Sequence, residues 1–355
     1  MNRVCTESSD RLARPMGGGE VPPTMSRSEA PATHRTGSER PGWPLVTFAL
    51  ITVAALFVVI VLGFLDTATK SALGCGRSFP LCHGSLFPAD NLKSLVEWSH
   101  RAASGVAGLM TGALGVWAWW RLGNVAEVRW LSLTAIGFIF IESALGAMAV
   151  LSPESDALMA VHLGVALTAF AAAVILTGLI RGLNRGSSRR SVRPDAFVVR
   201  WAWIFMVYMY VAVYVGAYVA QTDSGIACLT WPLCPGPVLP THFGPVLVDD
   251  VHRLVAVGAG AIAIVLYSAA RQSRSVRPDL FHMAGWILVL VAAQVVSGLV
   301  LVETHIALET TLVHVSLATL LFVEAGQMLF GVLPEAGVSR QRRDPEAKAA
   351  LFLGK

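Results

Sequence analysis

Residues 44–65 read PLVTFALITVAALFVVIVLGFL, without one charged side chain. At about 1.5 Å per residue, a helix of that length crosses the roughly 30 Å hydrocarbon layer of a membrane. Lipid offers the backbone no hydrogen-bond partners, so such a run must satisfy its own as a helix. Seven further segments qualify, near 95–120, 130–151, 157–180, 201–220, 250–270, 281–302 and 310–332. The runs are too long, and alternate too little, for the strands of a β-barrel. Composition agrees: of 355 residues 54% are hydrophobic and 14% charged, against about 25% charged in soluble domains. That balance excludes a soluble globular protein and, more firmly, a disordered one. The fold class is all-α: a polytopic membrane protein of eight transmembrane helices.

The basic residues set the orientation. The N-terminal tail, the 2–3, 4–5 and 6–7 connections and the C-terminal tail together hold 22 of the 27 Lys and Arg. The other side keeps Lys70, Arg77, Lys93, Arg101 and Arg253, and the 222–249 loop has neither Lys nor Arg. By the positive-inside rule both termini face the cytoplasm. The pI near 8.9 is then an insertion signal, and no nucleic-acid partner is expected. Residues 1–43, rich in Gly, Pro and Ser, read as a disordered cytoplasmic tail without the apolar core of a signal peptide. Cys5 lies in that tail, on the reducing side, and is expected as a free thiol.

The chain repeats itself. Phe79-Pro80-Leu81-Cys82 returns as Trp231-Pro232-Leu233-Cys234, and Glu97-x-x-His100-Arg101 as Asp249-x-x-His252-Arg253, both 152 residues on. Gly146 and His162 return as Gly298 and His314 at the same offset, while Thr69-x-Ser71 matches Thr222-x-Ser224 at 153. Several polar matches at one period mark a duplication. The expected organisation is two tandem four-helix bundles in a parallel repeat: an N-terminal half at 44–180, a cytoplasmic linker at 181–200, a C-terminal half at 201–332 and a cytoplasmic tail at 333–355.

His100, His162, His252 and His314 fall on helices 2, 4, 6 and 8, each a few residues inside the expected helix start. Ionisable groups inside a membrane are costly and usually functional. A single such histidine is explained well enough by a hydrogen bond to a neighbouring helix; four related by the repeat are not. Two imidazoles facing each other across a bundle suit a haem iron, one nitrogen from each side. Glycine-rich stretches at 103–108 and 257–260, just below the histidines, either leave room for a flat macrocycle or serve close helix packing. Arg101 and Arg253, one residue beyond two of the histidines, are candidates for haem propionates or for snorkelling to headgroups. Glu97 and Asp249, three residues before a histidine, also suggest a di-iron bundle. That reading needs two more carboxylates, and Glu142 on helix 3 has Gln294 as its repeat partner.

Cys75 and Cys82 bracket the first outer loop, and Cys228 and Cys234 the third. On the oxidising side two local disulfides are favoured. Zinc is the alternative, but no repeated outer histidine completes a ligand set, since His83 and His242 are not equivalents. His282 and His305 lie near helix ends and look incidental. A redox role for the first pair stays open.

Residues 69–82, TKSALGCGRSFPLC, followed by Glu97-x-x-His100-Arg101 and then by Cys228…Trp231-Pro232-Leu233-Cys234, His252-Arg253 and His314, resemble the bacterial haem A synthase family over about 44–332. The resemblance implies a multi-pass protein of the inner (plasma) membrane that oxidises the C8 methyl of haem O to the formyl of haem A for terminal oxidases. It implies that His252 and His314 hold a haem b cofactor, that His100 and His162 face the haem O substrate, and that Glu97 is required for turnover. It also implies a Cys75–Cys82 disulfide. Expected partners are haem O, the haem O synthase (a farnesyltransferase), oxidase assembly factors and an electron donor or acceptor, with room for a homo-oligomer. Oxidising a methyl group releases protons and needs a nearby base; Glu97 reaches one methylene farther than Asp249, so the halves need not do the same work. Two rival functions use the same histidines: a di-haem b-type quinol oxidoreductase, and a haem exporter or chaperone.

Overall fold

The computed structural model describes residues 42–151, 155–186, 192–232, 234 and 244–334. Cys5, His242 and nearly all of both expected tails lie outside them. Among the described residues the regular structure is helical: α1 (Trp43–Ala68), α2 (Leu92–Leu122), α3 (Ala126–Leu151), α4 (Asp156–Asn184), α5 (Ala196–Gln221), α6 (Pro245–Gln272), α7 (Pro278–Glu303) and α8 (Leu308–Val332), with one 3₁₀ turn at Ser224–Ala227. All eight are long and apolar enough to cross a membrane.

The helix starts are written locally. Asn91 accepts from the Ser94 amide at 2.9 Å and caps α2, and Asp195 caps α5 by accepting from Phe197 N at 2.7 Å. Proline opens α6 and α7 and stands second in α1, where its missing N–H costs nothing. Most helices begin a few residues before the expected run, in α2, α3, α7 and α8 because a first turn with polar residues is still helical. The four histidines therefore sit six to eight residues past the first residue of α2, α4, α6 and α8, about 9–12 Å in. That is one to five residues deeper than the apolar runs suggest.

Helices α1–α4 pack in one ring and α5–α8 in another, and α1 and α4 meet α5 and α8 between the rings. Water cannot drive this association inside lipid, so small residues and close fit must. On α4, Ala169, Ala171, Ala172 and Ala173 are all buried, and 56% of its span is covered, against 11% for α7. Helix α4 is thus the central element and α7 a peripheral one. The shared core joins Leu56 and Ile60 of α1, Phe170 of α4, Phe205 and Met209 of α5, and Phe322 and Met328 of α8. Thr168 and Tyr210 hydroxyls meet at 2.5 Å across the α4–α5 seam. Leu109, Phe140 and Val257, by contrast, are each at least 70% exposed in mid-helix, as lipid-facing side chains should be.

Candidate functional site

Two of the four inter-helix connections at one end of the bundle are closed by a disulfide, Cys75–Cys82 before α2 and Cys228–Cys234 before α6. Phe79-Pro80 and Trp231-Pro232 are both cis. The sulfurs of Cys228 and Cys234 lie near Asp249, but they are bonded to each other, which removes the thiolates a zinc site would need. Among the described residues no other cluster of His, Cys, Asp and Glu has metal-site spacing.

An arginine stitches each loop to the helix below it. Arg101 donates to the carbonyls of Ser78 (2.8 Å), Leu81 (3.1 Å) and Gly76 (3.3 Å) and pairs with Glu97. Arg253 donates to Thr230, to Pro232 (3.3 Å) and to Cys228 (2.9 Å) and pairs with Asp249 at 2.6 Å. To propionate binding and snorkelling the structure adds a third role for both arginines, loop anchoring, which engages their terminal nitrogens.

Glu97, 2% exposed, also accepts from the Cys75 amide at 2.6 Å. One carboxylate thereby ties the disulfide loop, Arg101 and α2 together. The second half divides the same work: Asp249 holds Arg253, while Asp250 accepts from the Cys234 amide at 3.1 Å. The loop comes so close to α2 that a Cβ on Gly74 would lie 2.4 Å from the Lys93 backbone.

Beneath the loops the histidines pair within each half. His100 lies within electrostatic reach of His162, and His314 of His252. Each imidazole rests on a glycine of a neighbouring helix. Ideal Cβ atoms on Gly63 (α1), Gly146 (α3), Gly216 (α5) and Gly298 (α7) would lie 3.0, 3.2, 3.0 and 3.5 Å from Cε1 of His100, His162, His252 and His314. Of the glycine-rich stretches, Gly258 serves close packing of α6 on α5, making room for the Tyr208 hydroxyl, which donates to Val255 O at 3.0 Å, and Gly105 faces open space.

These residues fit a haem iron. Nδ1 of His100, His162 and His252 is buried with no partner, a cost that ligation through imidazole or its hydrogen-bonding consequence would remove. His314 differs, with Nδ1 2.9 Å from Ser297 Oγ and Nε2 3.0 Å from Gln294 Nε2. On α3, Glu142 Oε1 lies 3.4 Å from His162 Nε2. His83, exposed, meets Gly74 O at 2.9 Å, His282 lies beside Phe281, and His305 sits in the α7–α8 turn with φ 52°; none joins the pairs.

Several of these residues carried no obvious signal. Gly63 and Gly216 are spaced by 153 and escape a search at 152. Glu142 and Gln294 were visible as repeat partners but not as neighbours of histidines, and Ser297 has Leu145 as its counterpart.

Fold and site define a class: a multi-pass helical membrane protein with two intramembrane histidine pairs under disulfide-closed loops. Residues 46–325 match the model of the cytochrome oxidase assembly protein family. Among similar proteins, the heme A synthase of Geobacillus thermodenitrificans is 38% identical over 307 residues, 85% of this chain and 94% of its own. Those of Geobacillus kaustophilus and Bacillus licheniformis are 36% and 35% identical, covering 85% and 77% of this chain and 94% and 91% of theirs. The chain belongs to the cytochrome oxidase assembly protein family, and it is a multi-pass protein of the plasma membrane.

Proposed function

We propose that this chain has haem A synthase activity, converting the C8 methyl of haem O to the formyl of haem A for terminal oxidases. The observation that carries the reading is the two imidazole pairs, each ring seated on a glycine of a neighbouring helix, with room for a Cβ tight at Gly63, Gly146 and Gly216 and ordinary at Gly298. The relatives' shared name supports it. In this reading the halves are tandem copies with both termini in the cytoplasm, His252 and His314 hold a resident haem b, and His100 and His162 receive haem O.

When bound, haem supplies the iron-centred redox chemistry that no side chain can. The protein's own residues do the rest. The imidazole pairs fix the macrocycle's height, and the disulfide loops close over that level and limit water. The buried Nε of Arg101, which has no partner, is the donor left for a propionate. Glu97 is required for turnover because it holds loop, arginine and α2 in one arrangement above the first-half pair. Haem O, the farnesyltransferase that makes it, an electron carrier and oxidase assembly factors are the partners this activity requires.

Pigment extraction from protein co-expressed with haem O synthase tests the reading. Haem b together with haem O, a hydroxylated haem or haem A supports it. A fixed pair of haem b molecules would identify a di-haem cytochrome instead, and haem lost on purification a carrier.

A further inference from the structure

The first disulfide loop folds back along α2. Its tip, Gly84-Ser85-Leu86-Phe87-Pro88-Ala89, carries no charge, yet Leu86 and Phe87 are 73% and 72% exposed. Two contacts seat the tip on Trp98: the indole donates to Leu86 O at 2.8 Å, and the Phe87 ring lies 6.4 Å from it. Trp98 is six residues past the start of α2, so the tip reaches about 9 Å down the helix. It lies on the side that meets lipid, because Leu95, Ala102, Val106 and Leu109 are exposed at helical spacing around Trp98. Trp98 also stands 21 residues from the exposed Trp119 at the other end of α2, about 32 Å along the axis. Tryptophans gather at both faces of the roughly 30 Å hydrocarbon layer, so Trp98 marks one interface and the tip sits at its level. Irregular backbone at that depth must satisfy its own polar groups. Here Trp98 takes the Leu86 carbonyl, Ser85 Oγ accepts from Phe87 N at 3.3 Å, and Pro88 has no N–H. Cys82 and Ser85 exchange backbone bonds at 2.8 and 2.9 Å. The backbone is thus shielded while two large apolar side chains are left bare, the reverse of a loop that faces water.

We propose that Leu86 and Phe87 are a membrane anchor: they insert among the lipids of the leaflet on the disulfide side and hold the loop above His100 and His162 against the bilayer. The occupant is lipid because the patch continues the lipid-facing side of α2 without a break. The anchor belongs to the first half, since Asp250 stands at the position equivalent to Trp98 and offers no indole to seat a loop. The lipid contact is independent of the haem reading; only the substrate that the loop covers rests on it.

The test places a nitroxide on full-length Cys5→Ser protein carrying Leu86→Cys, Phe87→Cys, Asp90→Cys or Leu109→Cys, in nanodiscs of phosphatidylcholine and phosphatidylglycerol. EPR relaxation is read against oxygen, which concentrates in lipid, and against a nickel chelate, which stays in water. Labels at Leu86→Cys and Phe87→Cys should be relaxed by oxygen and shielded from nickel, as at Leu109→Cys, while Asp90→Cys should show the reverse. Nickel access at Phe87→Cys equal to that at Asp90→Cys overturns the proposal. Shielding of both tip labels from oxygen and nickel alike also overturns it, because that pattern marks a protein contact with the loop or with a second copy. Should the new cysteines disturb the Cys75–Cys82 pairing, Phe87→Asp decides without a label. Losing part of the burial of one large apolar side chain should speed reduction of Cys75–Cys82 in nanodiscs about tenfold, and an unchanged rate refutes the anchor. Neither readout involves haem, so a failed pigment extraction leaves the anchor standing, and a failed anchor leaves the haem reading intact.

Discussion

Replacing Glu97 by Gln changes one oxygen to an amide nitrogen, and both oxygens are in use. Oε2 accepts from the Cys75 amide at 2.6 Å and Oε1 from Arg101, so the new NH₂ must face a donor on one side or the other. Removing one partner of a buried ion pair costs about 3–5 kcal/mol. Arg101 retains three carbonyl acceptors, which argues for the lower end, about 3 kcal/mol. If that loss falls on local opening of the loop, Cys75–Cys82 should be reduced about 100-fold faster, at about 1.4 kcal/mol per tenfold. Asp249→Asn breaks only the Arg253 pair, since Asp250 still holds the Cys234 amide. About 1.5 kcal/mol, the low end for a charged hydrogen bond, predicts about a tenfold effect on Cys228–Cys234. Timed reduction with a phosphine, alkylation and mass mapping measure both, with pigment extraction in parallel. Glu97→Gln should also accumulate haem O or a hydroxylated haem while keeping haem b. Unchanged reduction with blocked turnover would refute the anchoring role and leave a proton-transfer role; unchanged haem A production would remove Glu97 from turnover altogether.

Changing His252 or His314 to Met or Ala should abolish or shift the spectrum of the resident haem and lower the melting temperature, since a bound group stabilises the fold by mass action; an intact bis-histidine spectrum in both variants would count against the assignment. Alkylation of unreduced protein should label Cys5 and spare Cys75, Cys82, Cys228 and Cys234, and free thiols at Cys228 and Cys234 would contradict the second disulfide. Gly63→Ala and Gly216→Ala, whose Cβ atoms would stand 3.0 Å from an imidazole carbon, should disturb the haem spectrum more than Gly298→Ala at 3.5 Å. Equal tolerance of all three would show that the glycines do not seat the rings.

The spans and histidines were legible because their signals are strong and local. A charge-free run of 22 residues admits one structure in lipid, and four repeat-related imidazoles have few bland explanations. Helix starts were less legible for a physical reason: residues such as Lys93 and Ser94 belong to α2 but to water and the loop in polarity, so hydropathy excludes what helix geometry includes. The glycines beneath the imidazoles were hidden by a single residue. The first disulfide loop holds one residue more than the second, so everything before it repeats at 153 and everything after it at 152. Gly63 and Gly216 lie on the early side and their histidines on the late side, and no single offset displays the contact between them.

The carboxylates show where chemistry read along a chain stops short of chemistry in space. That Glu97 outreaches Asp249 by one methylene is plain from the sequence, and it suggests unequal roles in proton transfer. In the fold the extra length lets one side chain span from Arg101 to the Cys75 amide. With the shorter Asp249 engaged by Arg253, the second loop is held by a second acid, and Asp250 stands where the first half has Trp98, whose indole instead donates to Leu86 O at 2.8 Å. The pair Asp249-Asp250 is therefore one function divided between two residues. A substitution that lengthens Asp249 to Glu should make Asp250 dispensable for holding Cys234, which Asp249→Glu combined with Asp250→Asn would reveal as restored resistance of Cys228–Cys234 to reduction. If the double variant opens as readily as Asp250→Asn alone, the division of labour is wrong, and Asp250 holds the loop by a contact that length cannot replace.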